Sequence, residues 1–310
     1  MSDSRQSGDP APHDRLERRL RDPLPIVLDG AMGSQLHERG VPTRLPLWSA
    51  HALLERPDVA RAVHADNVAA GAEVITANTF RTNPRTLARC GLEKRQEELT
   101  TLAVRLAREA AAQAGAAERA FVAGSVAPVE DCYEPDLVPP DPELAREHRQ
   151  MVRSLAAAGC DLLLLETMNT LREARAALVA GLETGLPVWV SFVVAPGAVL
   201  LSGEDLTAAA REMERLGAGA VLVNCAPIPV VAESFRVLRR AVNLPCGLYP
   251  NHGHSDPVHG WASDPLDPGV FERLARGWFE QGARIAGGCC GTSHLHVQAI
   301  VAARAAVQRS

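Results

Sequence analysis

The chain has 310 residues, 46% of them apolar, enough to bury one core the size of a barrel of roughly 250 residues. Its formal net charge of -5, with no polybasic run, excludes a basic nucleic-acid surface and attachment to anionic lipid, so the expected partners are small molecules. No stretch reaches the roughly 18 apolar residues of a membrane span. In the cytoplasmic setting this predicts, seven cysteines read as thiols or metal ligands rather than a disulfide framework.

Residues 1–13 are polar and rich in Pro and Gly and predict a disordered tail, with one domain over 14–310. Eight short apolar runs follow, at 25–29, 73–80, 121–126, 161–167, 187–194, 220–225, 245–251 and 283–290. Each gives way to turn residues and then to a segment with helical spacing. Helix starts are marked at Pro57-Asp58, Asp141-Pro142-Glu143 and Asp267-Pro268, and Gly71, Gly159, Gly219 and Gly282 stand just before strands. Eight alternations predict an α/β chain folded as a (β/α)8 TIM barrel. The longest insertion, residues 128–142, predicts a loop over one barrel end.

The predicted strands end on Asp29, Asn78 with Thr79, Ser125, Glu166 with Thr167, Ser191, Asn224 with Cys225, Tyr249 with Asn251, and Cys289 with Cys290. In a barrel these ends share one face, where barrel enzymes place their chemistry. Any single one of them is equally readable as a turn residue.

Cys225, Cys289 and Cys290 would meet at that face. Three protein ligands and one open position describe a catalytic zinc site, and thiolates select zinc over magnesium or calcium. Gly287, Gly288 and Gly291 are expected to supply the backbone freedom that lets adjacent cysteines share one ion. With three thiolates such a centre carries a net charge of about -1, which suits it to holding a substrate sulfur rather than splitting water. Thiol chemistry, with attack on a methyl group, is the expected reaction. Other readings are a vicinal disulfide or core filling for the adjacent pair, a zinc- or redox-sensing protein, and a barrel isomerase that holds phosphate at Gly287-Gly288. Cys90, Cys132, Cys160 and Cys246 are expected to be core or loop thiols. Asp29 and Glu166 read either as helix-start carboxylates or as a pair suited to an ammonium. His252, His254 and His259 are expected to face solvent, and Glu204 to be a loop carboxylate.

Leu28 to Leu36, Leu47-Trp48-Ser49-Ala50, Ile75 to Phe80, Gly124-Ser125-Val126, Leu165-Glu166-Thr167, Val223-Asn224-Cys225, Tyr249-Pro250-Asn251 and Gly287 to Thr292 together resemble the homocysteine S-methyltransferase family. That family includes S-methylmethionine-using and betaine-using enzymes and the homocysteine-binding module of cobalamin-dependent methionine synthase. The resemblance implies transfer of a methyl group to homocysteine, giving methionine, with Cys225, Cys289 and Cys290 as zinc ligands. It implies Asp29 and Glu166 as the groups holding the amino group of homocysteine. Asn78, Asn224 and the backbone around Gly30 and Thr79 are further expected substrate contacts, the last two for the carboxylate. Arg81 stands where betaine users carry a tyrosine, so a sulfonium donor, S-methylmethionine or S-adenosylmethionine, is expected instead of betaine. A methyl-corrinoid donor would have to arrive on another protein. The sequence leaves the oligomeric state open.

Overall fold

The computed structural model describes residues 12–256, 260–262 and 267–309. The parallel strands are β1 (Ile26–Val27), β2 (Val74–Thr76), β3 (Phe121–Val126), β4 (Leu162–Met168), β5 (Val188–Ala195), β6 (Ala220–Pro227), β7 (Cys246–Asn251) and β8 (Ile285–Ala286). Pairing follows chain order from β2 to β8, β8 pairs with β1, and a parallel bridge between Leu28 and Val74 closes the ring. Helices between and after the strands, from Pro57–Ala69 to His294–Gln308, pack outside it. This is the expected (β/α)8 barrel. No helix among the described residues is long and apolar enough to cross a membrane.

β1, β2 and β8 are shorter than the apolar runs that predict them, because the chain leaves the ladder at Asp29, Ala77 and Gly287 to shape one end of the barrel. Alternation along the strands sorts the rest. Ile26, Leu28, Val74, Phe121, Leu162, Leu164, Trp189, Leu222 and Ile285 fill the interior, while Val27, Ile75, Val122, Leu163, Val190 and Val221 face the helices. Helix Pro12–Arg21 caps the end where the strands begin, with Leu16 fully buried against the interior cluster and Arg19 paired to Glu73 at 2.6 Å. Burial of Leu16 contributes about 1.5–3 kcal/mol. Residues 1–11 of the expected tail lie outside the described residues, as does His259 of the histidine cluster.

Candidate active site

Above the apolar layers the inward positions turn polar: Thr76 on β2, Ser125 on β3, Glu166 on β4, Ser191 on β5, Asn224 on β6 and Tyr249 on β7. Asp29 joins them from just beyond β1. Its carboxylate accepts hydrogen bonds from the Thr76 amide at 2.7 Å and hydroxyl at 3.0 Å. It caps no helix, since helix Met32–Glu38 starts at Ala31 without a side-chain cap. Burial pushes Asp29 up to about 7 against the pull of Thr76. Glu166 rises to about 8, again chiefly through burial, with Ser125 opposing and the nearby Asp29 and Cys225 adding to the rise. The Ser125 hydroxyl donates to one of its oxygens and the Tyr249 hydroxyl to the other, at 3.4 Å.

Thr167 and Cys225 adopt left-handed backbone conformations (φ 62° and 55°), each where strand register slips. Such bulges re-aim side chains at functional sites. Asn224 ties the two together: its amide donates to the Thr167 hydroxyl at 2.9 Å and accepts from the Thr167 N–H at 3.2 Å and the Ser191 hydroxyl at 2.7 Å. Cys289 and Cys290 are held by N–H bonds to the Pro250 carbonyl and the Asn251 side chain, at 2.9 and 3.1 Å. The glycine frame works differently from the expectation. Only Gly291 needs a left-handed turn (φ 81°); a Cβ at Gly287 or Gly288 would stand 2.5 Å from the Leu28 Cβ or 2.2 Å from the Thr292 hydroxyl, so these two provide room rather than flexibility.

The three sulfurs lie within 4.8 Å of one another. A tetrahedral ion with bonds of about 2.3 Å to sulfur separates its ligands by roughly 3.8 Å, so the cluster fits zinc with small adjustments. Hydrogen bonds from Cys289, Cys290 and the Tyr133 hydroxyl pull the Cys225 thiol well below its usual range, and the same sharing holds Cys289 and Cys290 well above theirs. One negative charge is tolerated in this buried cluster; three require a cation.

Asp29, Gly30, Asn78, Glu166 and the three cysteines line one cavity of about 1300 Å³ at the strand C-terminal face. Thr79 and Asn224 do not. Both are fully buried, Thr79 donating to the Ser125 carbonyl at 2.8 Å and Asn224 engaged as above. Of the backbone amides expected near the carboxylate, that of Gly30 is taken by Asn67 at 3.0 Å and that of Thr79 by the Ala77 carbonyl at 2.6 Å. Asn78 donates to the Ser49 carbonyl at 2.9 Å, leaving its buried side-chain oxygen unpartnered.

The loop after β3 forms the cavity's side wall and carries residues that sequence reasoning missed. Tyr133 places its hydroxyl 3.1 Å from the Cys225 sulfur, and Cys132, expected to be a core or loop thiol, is buried in the lining. Arg85, on helix Pro84–Ala88, pins this wall through Glu130 at 3.0 Å and Glu143 and Glu147 at 2.6 Å. The signal available for Tyr133 and Cys132 was the long insertion at residues 128–142, which was expected over one barrel end. Cys246 lies at the start of β7 and Cys90 is exposed. Glu204 serves structure, accepting from the Leu171 N–H at 2.8 Å.

The family model for homocysteine S-methyltransferase matches residues 26–304. The homocysteine S-methyltransferase of Escherichia coli is 32% identical over 298 residues, spanning 89% of this chain and 94% of that protein. The metallated form of the Escherichia coli homocysteine methyltransferase MmuM superposes with a TM-score of 0.82 at 29% identity, covering 94% of this chain and 99% of the other. The methionine synthase of Mycobacterium tuberculosis is 29% identical over 92% of this chain, but only 25% of that longer protein.

Proposed function

Because the chain belongs to the homocysteine S-methyltransferase family, we propose that it moves a methyl group from a sulfonium donor, S-methylmethionine or S-adenosylmethionine, to the thiol of homocysteine, with zinc held by Cys225, Cys289 and Cys290. The observation that carries the reading is one cavity in which three cysteine sulfurs converge beside two buried carboxylates. Cys225, Cys289 and Cys290 would hold the zinc, which would supply the charge that keeps a substrate thiol deprotonated near neutral pH.

Asp29 and Glu166 receive the homocysteine ammonium, whose charge offsets the cost of ionising two carboxylates in a buried site. The unpartnered Asn78 oxygen is a third acceptor for it. Thr76, Ser125 and Tyr249 hold the carboxylates in place. Tyr133, Trp48 and Phe80 offer aromatic faces to a sulfonium. With donor and acceptor in line, the acceptor sulfur bonds to the methyl carbon while the donor carbon–sulfur bond breaks. The electron pair stays on the donor sulfur, which becomes a neutral thioether.

Zinc-loaded protein incubated with homocysteine and, separately, S-methylmethionine, S-adenosylmethionine and betaine provides the test, with methionine detected by mass. Methionine should form at least about tenfold faster with one of the sulfonium donors than with betaine, a difference of about 1.4 kcal/mol in barrier. Absence of methionine with every donor, together with homocysteine binding no better than serine, sinks the reading. Turnover only on adding a methyl-corrinoid protein replaces the donor.

A further inference from the structure

Two arginines four residues apart have opposite surroundings. Arg85 is met by three glutamates. Arg81, in the turn after β2, lies on the cavity wall and is only 8% exposed, yet among the described residues it forms no ion pair and no side-chain hydrogen bond, and its Nε is buried without a partner. Its guanidinium carbon stands 5.4 Å from the centre of the Phe80 ring. Asp131 lines the same wall, but its carboxylate caps the Tyr133 N–H at 2.9 Å. A buried guanidinium without an anion is costly unless a ligand supplies one. The amides of Gly30 and Thr79 themselves are already engaged, by Asn67 and by the Ala77 carbonyl.

We infer that Arg81 is the receptor for the α-carboxylate of an amino-acid substrate, its fork pairing with both carboxylate oxygens. This rests on the reading that the pocket takes amino-acid substrates, and both homocysteine and the sulfonium donors carry such a carboxylate. Guanidinium geometry suits it, since five donors in a plane match a carboxylate where a lysine would supply only a point charge. A sulfonium donor bound this way keeps its sulfur three carbons from the carboxylate, within the same cavity that the cysteines line.

The test compares each acid with its decarboxylated analogue by calorimetric titration of zinc-loaded protein: homocysteine against 3-aminopropane-1-thiol, and S-methylmethionine against (3-aminopropyl)dimethylsulfonium. Wild type should prefer one acid over its analogue by about 30-fold or more, the range of a charge-assisted hydrogen bond. Arg81→Gln should erase that preference while leaving analogue binding within about threefold, and Arg81→Lys should keep part of it. Loss in the homocysteine pair assigns the acceptor, and loss in the sulfonium pair the donor. An unchanged preference in Arg81→Gln for both pairs, or no preference in wild type, overturns the inference; should Arg81→Gln fail to fold, a full preference in Arg81→Lys does so. These are binding measurements, so failure to form methionine in the turnover assay refutes the functional reading separately.

Discussion

The floor and the side wall of the cavity are built on different principles. Floor residues come from strand ends, where the two-residue alternation and the barrel register dictate position: Glu166 follows Leu162 and Leu164 inward, and Ser125 follows Phe121 and Ala123. The wall comes from loops whose shape depends on distant ion pairs, above all Arg85 reaching Glu130, 45 residues on, and Glu147, 62 residues on. The floor's geometry is therefore set by the barrel itself, and the wall's by contacts between residues far apart in the chain.

The largest effect should come from breaking the floor. Cys225→Ser removes the sulfur that the other two share, so zinc measured per protein should fall to background and turnover by about a thousandfold, roughly 4 kcal/mol of barrier. Full activity with zinc retained would place the reacting centre elsewhere.

A smaller effect concerns the carboxylates. Without ligand, Asp29 and Glu166 hold their protons up to about 7 and about 8, against ordinary values of 3.8 and 4.5. Their folded-state values lie above the unfolded ones, so the folded protein binds protons more tightly, and on this account its stability falls as pH rises from about 4 to about 8. The total is several kcal/mol, at about 1.4 kcal/mol per unit. Denaturant midpoints of unliganded protein across that range should show the decline in wild type and much less of it in the Asp29→Asn, Glu166→Gln double variant. Homocysteine affinity should rise over the same interval in wild type, because ionised carboxylates receive the ammonium. Flat profiles would mean that neither carboxylate is buried as described.

The same division explains what could be read in the sequence. Eight strands, their polar ends and the three-cysteine cluster were legible because each depends on local alternation and on the convergence that a closed barrel imposes. Local pattern also misled where a position's neighbours come from elsewhere. Thr79 and Asn224 looked like substrate contacts but spend their hydrogen bonds on Ser125, Thr167 and Ser191. Gly287 and Gly288 looked like hinges but make space for Leu28 and Thr292. Helix Pro12–Arg21 was missed altogether: its Leu16 is explained only by the barrel end it covers. The proximity of Tyr133 to Cys225, 92 residues later, follows from the wall's long-range ion pairs and has no local signature.

Arg85 offers the smallest effect and the sharpest separation of wall from floor. Its side chain is three-quarters buried and pairs with glutamates on the loop after β3 and on helix Asp141–Ala158, so Arg85→Met removes the clamp while keeping much of the stem's packing. Ion-pair networks of this kind contribute modestly, so stability by denaturant titration should fall by about 1–2 kcal/mol. The cysteine floor does not depend on the clamp, and zinc content should stay at the wild-type level. With the wall loosened, Tyr133 should lose its fixed approach to Cys225, visible as faster hydrogen exchange across residues 130–138 than in wild type. Zinc lost along with the clamp would show that wall and floor are one structural unit, and the separation drawn between them would fail.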